Sequence, residues 1–80
     1  MSDQEFLICS ATRYTLGRQT YAVGIMCAIL KRVSKTLTDN AREVIIRDIE
    51  TQEKYGYGAD WDRTEWMEAL EVLKNDRSKV

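Results

Sequence analysis

Between Thr20 and Leu37, apolar side chains return at three- and four-residue steps (Ala22, Ile25, Met26, Ile29, Val33, Leu37), while Lys31, Arg32 and Lys35 cover the other side. That period predicts an amphipathic helix over 20–37, with a basic last turn that complements the helix dipole. Glycine inside a helix costs about 1 kcal/mol relative to alanine, so Gly24 is expected where another backbone approaches closely. A second helix is predicted over 40–54, capped by Thr38 or Asp39. It turns Ala41, Val44, Ile45 and Ile49 inward and Arg42, Glu43, Arg47, Glu50 and Glu53 outward. Joined by so short a turn, these two helices should pack antiparallel.

The stretch Tyr55-Gly56-Tyr57-Gly58-Ala59-Asp60 breaks the pattern, because two glycines in three residues favour a turn. A third helix, 62–75, starts from Asp62, with Glu65 three residues later at capping-box spacing, and carries the stripe Trp66, Met67, Ala69, Leu70 and Leu73. Asp76 to Val80 then reads as a frayed polar tail. The N-terminal residues are harder to phase. Phe6-Leu7-Ile8-Cys9 suits a strand or a helical turn, and Thr12 to Gly17 has strand-like composition. The expectation for 1–19 is therefore an extended or irregular segment packed on the helices. The predicted fold class is mainly α: one compact three-helix domain over 1–80.

Composition sharpens this picture. With 44% hydrophobic and 31% charged residues in 80, the chain should fold, yet it lies near the lower size limit for an independent core. A homo-oligomer is expected on that ground. The net charge of -1 excludes generic nucleic-acid binding, which needs a marked basic excess. Charge is uneven, however: residues 1–37 carry +3 and residues 38–80 carry -4, which favours an anionic ligand at the first half. The longest apolar run, Ala22 to Leu30, is too short to span a bilayer, and the acidic start Met1 to Glu5 is no export signal. The expected location is cytoplasmic, without membrane association.

No histidine occurs, which removes the commonest general base and the usual zinc sites; Cys9 and Cys27 read as small buried apolar residues. Asp60 and Asp62 are two carboxylates, too few for a good magnesium site, and capping already explains Asp62. No phosphate-binding loop or dinucleotide fingerprint is present. Neither enzymatic activity, metal nor cofactor is expected. The segment Arg13-Tyr14-Thr15-Leu16-Gly17-Arg18-Gln19-Thr20-Tyr21 instead has the chemistry of recognition: guanidinium forks, aromatic rings, and hydroxyls at a helix start. Candidate ligand-binding residues are Arg13, Tyr14, Arg18, Thr20, Tyr21, Trp61 and Arg63. The competing reading pairs Arg13 and Arg18 with Asp48, Asp60 or Asp62 and buries the two tyrosine rings. Trp66 belongs to the core stripe; Trp61 is the better candidate for an exposed contact or a hydrophobic staple.

The succession Arg13-Tyr14, Gly17-Arg18, Thr20-Tyr21, then Val44-Ile45-Ile46-Arg47-Asp48-Ile49-Glu50, then Asp62-Arg63 with Trp66 resembles small accessory proteins of tailed phages and prophages, over Arg13 to Leu73. The resemblance carries no assigned activity. It implies a factor that blunts host defence by binding and not by turnover. Two readings follow. One is a sponge that sequesters a small anionic cyclic or phosphorylated nucleotide, with the arginines and tyrosines closing a pocket near a subunit interface. The other is an inhibitor of a host defence protein, with the acidic helices at 40–54 and 62–75 covering a basic surface.

Overall fold

A computed structural model of the chain describes residues 1–18, 21–55 and 62–77. Four helices occur among them: α1 (Asp3–Thr15), α2 (Tyr21–Val33), α3 (Asp39–Tyr55) and α4 (Arg63–Asn75), with a 3-10 turn, Ser34–Thr36, after α2. The mainly helical class and the three expected helices are present. The expected Gly56–Gly58 turn, Asp60, and the tail at 78–80 lie outside the described residues.

The first correction is α1, where an extended or irregular segment was expected. Its start is a capping box: the Glu5 N–H donates to Ser2 Oγ (3.2 Å) and the Ser2 N–H donates to Glu5 Oε1 (3.2 Å). Its buried stripe is Glu5, Cys9, Thr12 and Thr15, one apolar residue among three polar ones, so hydrophobicity does not reveal the helical period. The threonines are satisfied within the helix, where Thr12 Oγ1 donates to Ile8 O (2.8 Å) and Thr15 Oγ1 to Ala11 O (3.0 Å). Gly17 ends the segment at φ +78°, a left-handed conformation that glycine adopts without strain.

The buried face of α2 is Val23, Met26, Cys27 and Leu30. Of the expected stripe Met26 and, beyond the helix, Leu37 are buried and Val33 packs on the core, but Ala22, Ile25 and Ile29 are exposed, so the set 23, 26, 27, 30 replaces 22, 25, 26, 29. The two sets differ by one residue step, about 100° around the helix. The run 22–30 is apolar on every side, so periodicity alone does not choose between them. Gly24 is exposed, and a Cβ there would meet nothing within 4 Å, so the expected close backbone approach is not found among the described residues.

The expected helix 20–37 stops at Val33 because the chain tightens into the 3-10 turn, and Arg42 explains why. Expected outward, Arg42 is 4% exposed. Its guanidinium donates to Ser34 O (2.6 and 3.1 Å), Leu37 O (2.8 Å) and Asp39 Oδ1 (2.9 Å). Carbonyls left over at a helix end thus receive a charged donor instead of water. On the other side of the turn Thr38 caps α3, its Oγ1 accepting from the Ala41 N–H (3.3 Å), while its own N–H donates to Glu5 Oε2 (2.6 Å).

Paired residues along the helices give the topology. Glu5 meets Thr38, Cys9 Sγ lies 3.9 Å from Ala41 O, Arg13 meets Asp48 and Gly17 abuts Gln52, so α1 and α3 run parallel. Arg63 pairs with Glu53 and Arg77 with Glu43, so α4 runs antiparallel to α3. The Arg77 pair, at 2.7 Å, also anchors the first residues of the expected frayed tail. Principal packing follows the ring α1, α2, α4, α3. The short turn between α2 and α3 therefore does not make them close antiparallel partners; α2 lies chiefly on α4. Trp66, Leu30, Ile45, Ile46, Ile49 and Leu73 fill the centre, which confirms Trp66 as core, and Asp62 caps α4 by accepting from the Glu65 N–H (3.5 Å). No helix among the described residues is long and apolar enough to cross a membrane.

Two predictions test this turn. Arg42→Ala strands two buried carbonyls and should cost about 3 kcal/mol in urea unfolding, with Arg42→Lys recovering less than half because an ammonium cannot span the three acceptors. The backbone N–H groups of Thr38 and Ser2 hold the Glu5 carboxyl below its ordinary value of about 4.5. Its contribution is complete above that pH and is lost as pH falls through the lower folded value. Melting curves between pH 7 and pH 3 should decline less steeply for Glu5→Gln than for the parent chain.

Candidate functional site

Because α1 and α3 run one way and α2 and α4 the other, one end of the ring gathers the C-termini of the first pair and the N-termini of the second. The expected site residues that fall within the described chain lie there. Arg13 and Tyr14 occupy the last turn of α1, Arg18 follows Gly17, Tyr21 opens α2 and Arg63 opens α4. Thr20 and Trp61, with Trp61's expected staple role, lie outside the described residues.

What the geometry makes of these groups is mixed. Arg13 Nε and Nη2 both donate to Asp48 Oδ2 at 3.2 Å, the structural pairing weighed above. Arg63 grips Glu53 with a fork of 2.6 to 2.9 Å, which lowers the Glu53 carboxyl pKa. Arg18 folds back so that Nε donates to Tyr14 O (2.8 Å), and its guanidinium sits 4.4 Å from the centre of the Tyr14 ring. That places a cation over a π face and a donor on a terminal helix carbonyl at once. The tyrosine rings are not buried: Tyr14 is 68% and Tyr21 98% exposed. Of the carboxylates proposed as partners for Arg18, Asp48 is held by Arg13, Asp62 caps α4, and Asp60 lies outside the described residues.

The acidic half of the chain is engaged internally as well. Glu50 pairs with Lys74 (3.0 Å), Glu43 with Arg77 (2.7 Å), Glu53 with Arg63 (2.6 Å) and Glu68 with Lys31 (3.6 Å). These pairs stitch α4 to its two neighbours, so much of the negative charge along α3 and α4 is neutralised in place.

The residues that sequence periodicity missed are the outward apolar ones. Phe6 and Leu7 on α1 are 62% and 65% exposed, and Ile25 and Ile29 on α2 are also exposed. Their signal lay in the phase of each helix. Once Ser2 and Glu5 are recognised as a capping box, the Glu5-Cys9-Thr12 stripe points inward and Phe6 and Leu7 must point out. A cleft of about 600 Å³ opens beside them, between the start of α1 and the turn into α3, lined by Leu7, Ile8, Val33 and Leu37 with Thr38 at its edge.

Among the described residues no cluster of three acidic, cysteine or histidine side chains is placed to hold a metal ion. Both thiols are buried, and burial pushes Cys27 up to about 12, where almost no thiolate exists at neutral pH. Comparison with protein-family models, curated protein sequences and solved structures finds no match to this chain.

Since exposed ion pairs contribute at most about 1 kcal/mol, the double variant Arg13→Ala, Arg18→Ala should remain folded and lose less than that in chemical denaturation. A larger loss would assign these arginines to the scaffold.

Proposed function

We propose that the chain is a phage-type accessory protein that counters a host defence by binding one of its proteins, with α1 as the contact helix and without turnover. The observation that carries this reading is the outer face of α1. Leu7 and Tyr14, two turns apart, fall on one line of the helix; Phe6 and Arg13 fall on the adjacent line; Arg18 lies over Tyr14. Large exposed apolar groups beside tyrosine and arginine are the composition of binding hot spots. The matching partner surface has an apolar hollow flanked by carboxylates, which meet Arg13 and Arg18. This differs from an acidic face laid on a basic partner, because Glu43, Glu50, Glu53 and Glu68 already hold lysines and arginines of their own chain. The phage setting and the action against host defence rest on the resemblance of the Arg13-Tyr14, Gly17-Arg18 and Asp62-Arg63 segments to small phage accessory proteins.

One observation favours a second reading, sequestration of a small anionic nucleotide. The Arg18–Tyr14 stack, with Arg13 beside it and Tyr21 and Arg63 at the same end, combines a π face with guanidinium donors. Binding by this route requires phosphate to displace Asp48 from Arg13, an exchange that an exposed pair permits at low cost.

Two measurements separate these readings. A thermal-shift panel of cyclic and phosphorylated nucleotides at micromolar concentration should leave the melting temperature unchanged if a protein is the partner, and raise it by several degrees if the chain is a nucleotide sponge. The purified chain, mixed with a host defence protein recovered with it and then made separately, should bind in calorimetry. Leu7→Glu with Tyr14→Glu should weaken that binding by about 30-fold or more, because hot-spot residues are worth about 2 kcal/mol each. Full affinity in this folded variant would sink the α1 reading.

A further inference from the structure

Helix α2 has two apolar faces, and the ring of helices covers one of them. At 100° per residue, the buried set Val23, Met26, Cys27 and Leu30 centres on one side, while Tyr21, Gly24, Ile25, Ala28, Ile29 and Arg32 spread over about 140° on the opposite side. A helix that is apolar all round belongs in an interior, not at a surface. Here the outer face is exposed: Tyr21 is 98% and Ile25 63% accessible, and Ile25, Ala28 and Ile29 line a shallow hollow of about 550 Å³ edged by Lys31 and Arg32. Gly24 sits in this face with open space where a Cβ would be, although glycine weakens a helix interior and no described residue approaches it closely.

We infer that the outer face of α2 packs against the same face of a second copy of this chain, the two helices antiparallel about a two-fold axis. Self-complementarity selects the occupant. In an antiparallel pair the residue numbers in contact have a constant sum, and a sum of 53 matches every group on this face. Ile29 of one copy enters the gap at Gly24 of the other, Ile25 lies against Ala28, and the Tyr21 ring meets the Arg32 guanidinium. Each contact occurs twice, as an isologous interface requires. Large side chains thereby face small ones, and an exposed ring faces an exposed cation. No different sequence is needed to supply the other half of the fit.

Charge placement selects the direction. A parallel pair would bring Lys31, Arg32 and Lys35 of both copies together. In the antiparallel register the two Lys31-Arg32 pairs are about ten residues apart along the axis, roughly 15 Å, beyond the screening length of about 8 Å at physiological salt. Size then sets the strength. One face of a 13-residue helix buries less than the roughly 1,200 Å² at which stable interfaces begin, so the dimer should be a weak one that forms at tens to hundreds of micromolar. This surface is separate from the α1 face invoked for partner binding, so either inference stands if the other falls.

Sedimentation of the full chain from about 10 µM to about 1 mM tests it. The expected result is a concentration-dependent shift from monomer to dimer. Gly24→Gln adds a side chain into open space, so the variant's melting temperature at low concentration should rise, while its dimer dissociation constant weakens at least tenfold. These opposite signs distinguish an interface from a structural role. Ile25→Glu should likewise leave the chain folded and monomeric. The double variant Ile25→Cys, Ala28→Cys should cross-link between copies on mild oxidation, since the native thiols are buried. A chain that stays monomeric up to about 1 mM overturns the inference. So does a dimer unaffected by Gly24→Gln and Ile25→Glu, or one that forms without cross-linking at those two positions.

Discussion

The turn between α2 and α3 is held by two opposite charges, and the rest of the fold depends on it. Arg42 reaches back from the first turn of α3 to the carbonyls of Ser34 and Leu37, while Glu5 reaches across from α1 to the N–H of Thr38. A chain that stops one helix and starts another within five residues leaves acceptors on one side and donors on the other. Both sets lie partly in the protein interior, away from water, so each needs a partner. A cation serves the C-terminal side and an anion the N-terminal side, which is also the arrangement that the helix dipoles favour. Because Glu5 belongs to α1, closing this turn also sets where the N-terminal helix docks.

That docking fixes what faces outward. With Glu5 directed into the turn, Cys9, Thr12 and Thr15 follow on the inner line of α1, and Phe6, Leu7, Arg13 and Tyr14 are left to solvent. A similar division governs α2, where Val23, Cys27 and Leu30 enter the core and Ile25 and Ile29 do not. The ring order leaves α1 and α2 as neighbours, so the helices that carry the exposed Phe6, Leu7, Ile25 and Ile29 lie side by side, whereas α3 and α4 are joined by paired charges. The division of labour is physical: one pair of helices closes on itself electrostatically, and the other keeps hydrophobic area available.

How much of this was legible in the sequence depended on whether polarity tracked burial. It did for α4, where Trp66, Ala69, Leu70 and Leu73 are both apolar and inward, and where Asp62 and Glu65 announce the cap. It did for most of α3. It failed for Arg42, since a charged residue at a solvent-like position gives no sign that carbonyls await it. It failed again for α1, whose inner line is a glutamate, a cysteine and two threonines and whose outer line holds the only phenylalanine. The one cue there was the serine and glutamate three apart at Ser2 and Glu5, a local signal independent of hydrophobicity. For the site, the clustering of Arg13, Tyr14, Arg18 and Tyr21 was readable from their proximity in the chain. The Arg13–Asp48 pairing was open as an alternative. The apolar faces were not readable, because an all-round apolar helix and a weakly patterned one both conceal their phase.

The parallel arrangement of α1 and α3 has a further consequence, for chain entropy. The contacts that join them link residues 32 to 35 apart in sequence, as in Cys9 with Ala41, Glu5 with Thr38 and Arg13 with Asp48. Closing a loop of that length costs about 2 kcal/mol more than closing a four-residue turn. The first contact of α1 with α3 bears this penalty, while the Arg42 bonds to Ser34 and Leu37 span eight and five residues. In a chain of 80 residues that difference separates a local unit, the α2–α3 turn, from a topologically distant one, α1. The N-terminal helix is therefore joined to α3 across a long loop, as α4 is to α2 through Lys31 and Glu68, and the carboxylate at the first turn of α1 helps to keep its loop closed.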